Sequence, residues 1–290
     1  MLTRYAPSPT GHLHLGHVVN AVYVWGLARA AGGRVLLRME DHDRIRCRRE
    51  YESSILEDLN WLGFEPDEGL HPLLRQSDRS DVYREAVERL RRTHHVYACE
   101  CSRKHIAGER YDGFCRHRGL TDAPGCGLRV EFGDGVETFD DLLLGGIEHE
   151  PARQCGDLLL RDRDGNWTYQ FAVTVDDMMQ GITDIIRGED LATSTGRQLR
   201  LRRMLGGTGH PRFAHHPLIL KPGGEKLSKS AADTGVRELR ESGLRPEEVI
   251  GRAAAAVGLT DQFTPIAAHR VADFFTDSRR AGRIHRASSR

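Results

Sequence analysis

The first 64 residues alternate between two kinds of segment, and this alternation restricts the fold more than any other feature. Residues 2–6 (LTRYA) predict a short strand, and LGHVVNAVYVWGLARAAGG predicts a helix, because its apolar residues recur at helical spacing before a glycine stop. RVLLRMED then predicts a buried strand that ends in acids, and EYESSILEDLNWLGF predicts a second amphipathic helix. This order is typical of a parallel sheet with right-handed crossovers. We therefore expect an α/β fold whose ligands bind at the carboxyl ends of the strands.

Length and charge set broad limits on function. A chain of 290 residues can bury a core in one large domain or in a domain that carries an insert. The 42 basic and 42 acidic residues balance, so any polyanion must bind at a local basic patch. The sequence shows neither a charged-then-apolar leader nor an apolar run of membrane length. We expect a cytoplasmic protein with no membrane partner, and we expect it to be a monomer.

The turn after the first strand, APSPTGHLHLGH, places His14 and His17 three residues apart where a helix begins. Both imidazoles can face one spot, which also receives unpaired N–H groups and the positive end of the helix dipole, so the turn favours a bound phosphate. Gly16 would let a flat base or ribose approach the backbone closely. A metal site is the weaker interpretation because nothing nearby supplies a third ligand, and a plain helix cap does not explain two histidines.

A glycine-rich loop near the other end of the chain, KPGGEKLSKS, contains Lys226 and Lys229. Only four of the 42 basic residues are lysines, and two of the four lie in this loop, three residues apart. Compact ammonium groups on a loop suit the clamping of a triphosphate while charge moves onto the pyrophosphate leaving group. An isolated K-x-x-K would indicate a solvated surface loop, but its pairing with the histidine motif favours ATP chemistry.

A middle segment, about 98–150, holds most of the cysteines, many glycines and short β-like pieces, and we interpret it as an insert. Within YACECSRKHIAGERYDGFCR, Cys99, Cys101 and Cys115 fall inside seventeen residues. Three thiolates this close predict a zinc site, but a structural zinc site normally has four ligands. The fourth ligand could be one of three neighbours: His105, Tyr111 or His117.

Five motifs together resemble the catalytic core of the glutamyl-tRNA synthetases, which are class I aminoacyl-tRNA synthetases. They follow the family's order and spacing over residues 3 to about 260: RYAPSPTGHLHLGH, RMEDHD, TYQFAVTVDD, GITDIIRGEDL and KLSKS. The resemblance implies a Rossmann-like core that condenses L-glutamate with ATP and Mg²⁺ to glutamyl-adenylate and pyrophosphate, then passes the glutamyl group to an RNA hydroxyl. A glutaminyl enzyme would be expected to show a different residue pair in the PSPTG turn, so glutamate is favoured.

The resemblance also implies roles for individual residues. The implied catalytic residues are His14, His17, Lys226 and Lys229, and the implied ATP contacts are His14, Gly16, His17 and Lys229. The implied glutamate contacts are Arg4, Tyr5, Ala6, Pro7, Ser8, Glu40, Tyr169 and Arg187, with Glu40 at the α-amino group. Arg187 also fits on physical grounds, because a guanidinium forks onto a carboxylate and would reject a neutral amide. The alternative is a structural Arg187 paired with Glu189 or Asp190.

The cysteine pattern and the chain length resemble the truncated members of this family, which glutamylate the modified base queuosine in the anticodon loop of tRNA(Asp). Their zinc site implies Tyr111 as the fourth ligand, with His117 as the runner-up. Residues 231–290 are too few for an anticodon-reading domain of typical size. We therefore expect queuosine-containing tRNA(Asp) to be the acceptor.

The expected organisation has four parts. Residues 1–97 form the first half of the catalytic domain, 98–150 a zinc-binding acceptor-type insert, 151–230 the second half with the KLSKS loop, and 231–290 a helical region without an anticodon-binding domain. Two alternatives stay open: a minimal glutamyl-tRNA synthetase that charges the 3′ end of tRNA(Glu), and an inactive adenylate or RNA binder, against which the intact motifs argue. A nucleotidyltransferase of another kind would have no reason to carry RYAPSPTG or IIRGEDL.

Overall fold

The computed structural model describes residues 1–102, 106, 110–219 and 235–276. The strands are β1 Leu2–Tyr5, β2 Arg34–Met39, β3 Leu74–Arg75, β4 Val96–Cys99, β5 Gly127–Val130, β6 Glu137–Asp141, β7 Gly145–His149, β8 Leu158–Arg161, β9 Asp184–Gly188 and β10 Arg212–His216. The α-helices are α1 Leu15–Ala30, α2 Arg49–Leu62, α3 Ser80–Arg91, α4 Pro151–Cys155, α5 Tyr169–Met179, α6 Thr195–Met204, α7 Val236–Glu241 and α8 Pro246–Ala256. Short 3₁₀ segments span Gln76–Arg79, Glu189–Ser194 and Ala268–Phe274.

Parallel strands carry the site, as the alternating sequence predicted. β1, β2 and β3 pair in parallel, and so do β9, β10 and β6, with β7 added antiparallel at the edge. The two groups meet where Thr183, just before β9, donates its backbone N–H to the carbonyl of Leu2 at 2.9 Å. The carboxyl ends of β1 and β2 therefore lie at the same sheet edge, which is where parallel sheets bind ligands.

Helix α1 is buried on nearly every side because the sheet, α8 and the 3₁₀ segment Ala268–Phe274 all pack against it. One close approach requires glycine: a Cβ on Gly26 would lie 2.2 Å from the Phe275 ring. The segment after residue 235 thus shares one hydrophobic core with the histidine helix. In the described part of the chain, no helix combines the length and apolar character needed to cross a membrane.

A second sheet, made of β4, β5 and β8, is antiparallel and carries the first cysteine of the cluster at the end of β4. Sheet membership does not follow the predicted boundaries of the insert. β6 and β7 lie inside 98–150 but pair with the parallel strands, whereas β8 lies beyond residue 150 and pairs with β5. The four-part division of the chain stays a prediction.

Candidate active site

The histidine turn brings its two imidazoles together. His14 caps α1: its Nδ1 accepts the Gly16 N–H at 3.1 Å, and its own N–H donates to His17 Nδ1 at 3.0 Å. The two ring centroids lie 3.9 Å apart. Because both Nδ1 atoms accept hydrogen bonds, each neutral ring carries its proton on Nε2, which is a donor of the kind that phosphate oxygens accept. The positive end of α1 lies at the same place.

Gly16 has a steric role within this turn. A Cβ at this position would lie 2.9 Å from Cε1 of His14, so any larger residue would displace the capping ring. The predicted close approach of a base or ribose stays a prediction.

Outside the described residues lie the two loop lysines, Lys226 and Lys229. The described residues on either side of that loop nevertheless contact α1 and its capping residue, His14. Gly235 forms an antiparallel bridge with His14, and His216 at the end of β10 lies 3.1 Å from the Asn20 amide oxygen of α1. The described residues that flank the lysine segment in the sequence therefore contact α1 and its capping residue.

Two of the predicted glutamate contacts, Arg4 and Glu40, belong to a buried ionic network. Arg4 Nε lies 3.1 Å from Asp177 Oδ1, and the fully buried Arg38 donates to Asp177 at 2.8 Å and to Glu40 at 2.9 Å. Burial alone would raise the pKa of Asp177, but Arg4 and Arg38 hold it below its ordinary value. A Glu40 carboxylate fixed in this way can pair with a substrate ammonium group.

The predicted turn that follows β1 consists of Tyr5, Ala6, Pro7 and Ser8. The Pro7 carbonyl accepts the backbone N–H of Glu40 at 3.0 Å, which holds the turn against the end of β2. The Tyr5 side chain lies in the core, and its hydroxyl donates to the His17 carbonyl at 3.3 Å. This side chain therefore supports the start of α1 from beneath.

Arg187, in β9, is 4% exposed and is surrounded by neutral acceptors. Its Nε donates to His215 Nε2 at 3.0 Å, Nη1 to Gln198 Oε1 at 2.8 Å, and Nη2 to Thr195 Oγ1 at 2.8 Å. A guanidinium has five N–H donors, so these three acceptors leave N–H donors on the two Nη atoms, and the Tyr169 hydroxyl also interacts with the group. A donor that remains can bind a carboxylate oxygen of a ligand.

Among the described residues, Arg187 makes no direct ion pair. The alternative pair with Glu189 or Asp190 is not formed, and Glu189 instead accepts the backbone N–H of Leu218. Burial holds the pKa of Arg187 below its ordinary value, although the Tyr169 hydroxyl and the more distant charge of Asp177 act in the opposite direction. A buried cation without a direct ion pair in the described part of the chain favours an anionic ligand, since the ligand relieves the cost of desolvation.

His215 and Asp141, which were not predicted from the sequence, hold Arg187 in place. His215 Nδ1 lies 2.6 Å from Asp141 Oδ2, and both side chains are buried. The ring therefore donates from Nδ1 and presents the Nε2 lone pair to Arg187. Burial lowers the pKa of His215, although the hydrogen bond to the Asp141 carboxylate acts in the opposite direction. The lowered pKa favours the neutral ring. The one feature of the sequence that could have pointed to His215 is the pair of adjacent histidines that ends β10.

The three cysteines of the insert come together as predicted. The sulfur atoms of Cys99, Cys101 and Cys115 lie within 4.8 Å of one another, and the last two are 3.6 Å apart. Two sulfurs bound tetrahedrally to zinc at about 2.3 Å would be about 3.8 Å apart, so this spacing fits the ion. The Tyr111 hydroxyl lies 3.5 Å from Cys99 Sγ and accepts the Cys115 N–H at 2.8 Å.

Of the other two predicted fourth ligands, only His117 lies among the described residues, and it is not part of this cluster. His117 stacks against His95 at 6.0 Å between centroids, and His105 lies outside the described residues. Basic groups surround the sulfurs: Arg129 Nε donates to Cys99 Sγ at 3.3 Å. Burial opposes ionisation of Cys115, but hydrogen bonds, led by the backbone of Glu100, bring its pKa down to about 7. Burial, together with the hydrogen bond to Cys115, raises the pKa of Cys101 to about 12. Of these two thiols the protein therefore favours the thiolate at Cys115, and a thiolate is the form that binds zinc.

Comparison with known proteins decides the family. The family model described as tRNA synthetases class I (E and Q), catalytic domain, matches residues 1–263. The chain belongs to this family. The match confirms the class I synthetase fold and the resemblance on which the glutamate and ATP roles depend.

Individual members of the class I (E and Q) synthetase family resemble the chain over different shares of their length. Glutamate–tRNA ligase of Nitratidesulfovibrio vulgaris (strain DP4) is 40% identical over 262 residues, covering 86% of this chain and 56% of that protein. Glutamyl-Q tRNA(Asp) synthetase of Pseudomonas aeruginosa (strain LESB58) is 42% identical over 268 residues, covering 88% and 90%. The chain therefore spans little more than half of the first relative and nine-tenths of the second.

A solved structure agrees with these sequence matches. The crystal structure of a glutamate tRNA ligase from Elizabethkingia meningosepticum CCUG26117, in complex with its amino acid, superimposes with a TM-score of 0.79 at 27% identity. The superposition covers 98% of this chain and 68% of that one. The described residues thus share their architecture with a class I glutamate enzyme.

Proposed function

We propose that the protein activates L-glutamate with ATP and Mg²⁺ and transfers the glutamyl group to queuosine in the anticodon loop of tRNA(Asp). The observation that carries the first step is Arg187, a buried cation whose hydrogen-bond partners among the described residues are neutral. The γ-carboxylate of glutamate would complete this site. The amide of glutamine would leave the buried charge without a counter-ion. Glu40 would receive the α-ammonium group.

Activation is a substitution at the α-phosphorus of ATP. An α-carboxylate oxygen of glutamate attacks that phosphorus, the bond to the bridging oxygen breaks, and pyrophosphate leaves. His14 and His17 donate from Nε2 to phosphate oxygens at the positive end of α1. Lys226 and Lys229 of the KLSKS motif neutralise the charge that builds up on pyrophosphate.

Transfer follows at the acyl carbon of the adenylate. A hydroxyl oxygen of the acceptor attacks the glutamyl carbonyl, the bond to the phosphate oxygen breaks, and AMP leaves with the pair of electrons. The hydroxyl proton passes to the departing phosphate. The product is an ester between glutamate and the acceptor nucleoside.

Two features support queuosine as the acceptor. The chain covers 90% of the glutamyl-Q tRNA(Asp) synthetase that it matches, and the cysteine cluster has a tyrosine hydroxyl beside it. The second candidate is a minimal glutamyl-tRNA synthetase that charges the 3′ end of tRNA(Glu). Its support is the 40% identity to a glutamate–tRNA ligase.

We also propose that Cys99, Cys101, Tyr111 and Cys115 hold one structural Zn²⁺. The support is the sulfur spacing, the adjacent phenol oxygen and the hydrogen bonds that favour a thiolate at Cys115. When bound, the ion would fix the loop that carries its ligands. It takes no part in the two chemical steps.

An assay with two stages tests the proposal. The first measures exchange of label between pyrophosphate and ATP, once with glutamate and once with glutamine as the amino acid. We expect exchange with glutamate alone, and no exchange would favour the inactive binder. The second supplies labelled glutamate with queuosine-containing tRNA(Asp) or tRNA(Glu). We expect a base-labile ester on tRNA(Asp), whereas label only on tRNA(Glu) would favour the minimal synthetase.

A further inference from the structure

A cleft of about 860 Å³ connects the glutamate site with the cysteine cluster. Tyr169 and His42, whose ring centroids lie 6.0 Å apart, line it on the side of the glutamate site. Cys99 and Cys101 line it on the side of the cluster. The motifs that identify the family assign no role to the wall between these two sides.

That wall is a turn held rigid by its own side chains. Asp162 accepts the backbone N–H groups of Asp164 at 2.9 Å and Asn166 at 2.8 Å, as well as the Asn166 amide at 3.1 Å. Trp167 follows directly and lines the cleft, while its ring also packs near Phe171 at 5.4 Å between centroids. The turn therefore presents an aromatic surface whose position is fixed before any ligand arrives.

The polar groups along the cleft suit a nucleic acid. Arg163 is exposed and anchored through its Nε to the Gly125 carbonyl at 2.9 Å. Arg46 pairs through its Nε with Asp43 at 2.6 Å, and 73% of its side chain is exposed. The Asp164 carboxylate is exposed and makes no hydrogen bond or ion pair with the residues that the structure describes. Arginines bind phosphates, aromatic rings stack on bases, and a carboxylate accepts hydrogen bonds from hydroxyl groups.

We propose that this cleft binds the acceptor nucleoside of the RNA, turned out of its strand. The base lies against Trp167, flanking phosphates lie on Arg163 and Arg46, and a hydroxyl group donates to Asp164. The proposal rests on the proposed function, because the attacking hydroxyl must reach a glutamyl carbonyl beside Tyr169. The volume is in the range of small-molecule sites, and bases in RNA loops and at RNA ends can be splayed out in this way.

Vicinal hydroxyls occur both on the cyclopentene ring of queuosine and on the ribose at the 3′ end of a tRNA. The cleft would recognise either pair of hydroxyls. The two sources are therefore distinguished by supplying one RNA at a time. Transfer to queuosine-containing tRNA(Asp) identifies the first source. Transfer to tRNA(Glu) identifies the second.

The test compares two variants of the full chain, Arg163→Ala and Asp164→Asn, with Arg252→Ala as a matched control. Arg252 is an exposed arginine of α8 and is not among the residues that line the cleft. We expect each cleft variant to slow transfer by about 10-fold while pyrophosphate exchange stays within about two-fold, because only RNA contacts are lost. The control should change neither rate.

Two results would overturn the proposal: cleft variants that transfer at the wild-type rate, or variants that lose exchange as much as transfer. Failure of the proposed function looks different, since the wild-type protein would then show no exchange or no transfer. If the wild-type protein shows normal rates and the cleft variants match it, the role of the cleft is rejected while the proposed function stands.

Tryptophan fluorescence gives a binding readout that does not depend on catalysis. The other two tryptophans, Trp25 and Trp61, lie in α1 and α2, away from the cleft lining. Titration with the accepted RNA should change the emission of the wild-type protein, and Trp167→Phe should abolish that change. A full change in Trp167→Phe would contradict the stacking role.

Discussion

Replacement of Arg187 is expected to change which amino acid is activated. In Arg187→Gln the γ-carboxylate of glutamate would be buried without its cation, and breaking a buried pair in this way costs about 3–5 kcal/mol. The corresponding fall in kcat/KM for glutamate is about 10²–10⁴-fold, at about 1.36 kcal/mol per decade. Arg187→Lys keeps the charge but loses the fork, so we expect a smaller fall, of about 10–100-fold.

The same series measures selectivity. Because the Arg187→Gln variant would no longer present an unpaired buried charge to a neutral amide, its preference for glutamate over glutamine should shrink by at least about 100-fold. The assay is pyrophosphate exchange with each amino acid in turn. Arg212 is an exposed arginine that pairs with the buried Asp184, and Arg212→Lys keeps its charge, so this control should leave both rates within about two-fold of wild type.

One outcome would refute the reasoning about this residue. If Arg187→Gln activates glutamate within about three-fold of the wild-type rate, the buried guanidinium is not the carboxylate site and its three neutral partners serve only the fold.

Three further perturbations follow from the described contacts. His215→Phe removes the acceptor of the Arg187 Nε–H and should raise KM for glutamate by about 10-fold with a smaller effect on kcat, which exchange kinetics would show; an unchanged KM would count against the positioning role. Cys101→Ser should lower the zinc content measured by mass spectrometry from about one ion per chain, whereas Cys126→Ser, outside the cluster, should not; equal zinc contents would exclude the cluster. Burial raises the pKa of Asp58 to about 6 and leaves its Oδ2 without a hydrogen bond. Since the unfolded chain ionises this group at lower pH, wild type bears a penalty above pH 6 that disappears below about pH 4. In urea unfolding, the free energy of unfolding of Asp58→Asn should therefore exceed that of wild type by about 2 kcal/mol at pH 8 and equal it at pH 4. Equal free energies at pH 8 would contradict the burial argument.

The sequence predicted the parts of this structure that local patterns determine. The apolar spacing after His14 predicted α1, and the acidic end of RVLLRMED placed Glu40 at the ligand edge of the sheet. The cysteine spacing predicted the cluster, because Cys99 ends β4, Cys101 follows two residues later, and Cys115 is only fourteen residues further along the chain. Each of these features depends on residues close together in the chain.

Features that depend on distant pairings escaped prediction. Arg38 and Asp177 are separated by 139 positions, and Asp141 and His215 by 74, so neither pair exists until the sheet order is set. The same holds for β6, which joins β10 instead of staying with the neighbouring strands of the insert. The role of His215 became visible only from the hydrogen bond between its Nε2 and Arg187.

The central claim is that glutamate passes from an adenylate to a modified base within an RNA loop. The most direct measurement supplies labelled glutamate and ATP with two forms of tRNA(Asp), one carrying queuosine and one carrying guanosine at that position, both lacking the 3′-terminal adenosine. We predict a labile glutamyl ester on the queuosine form and none on the guanosine form. Label on neither form, together with label on the intact 3′ end of tRNA(Glu), would contradict the claim.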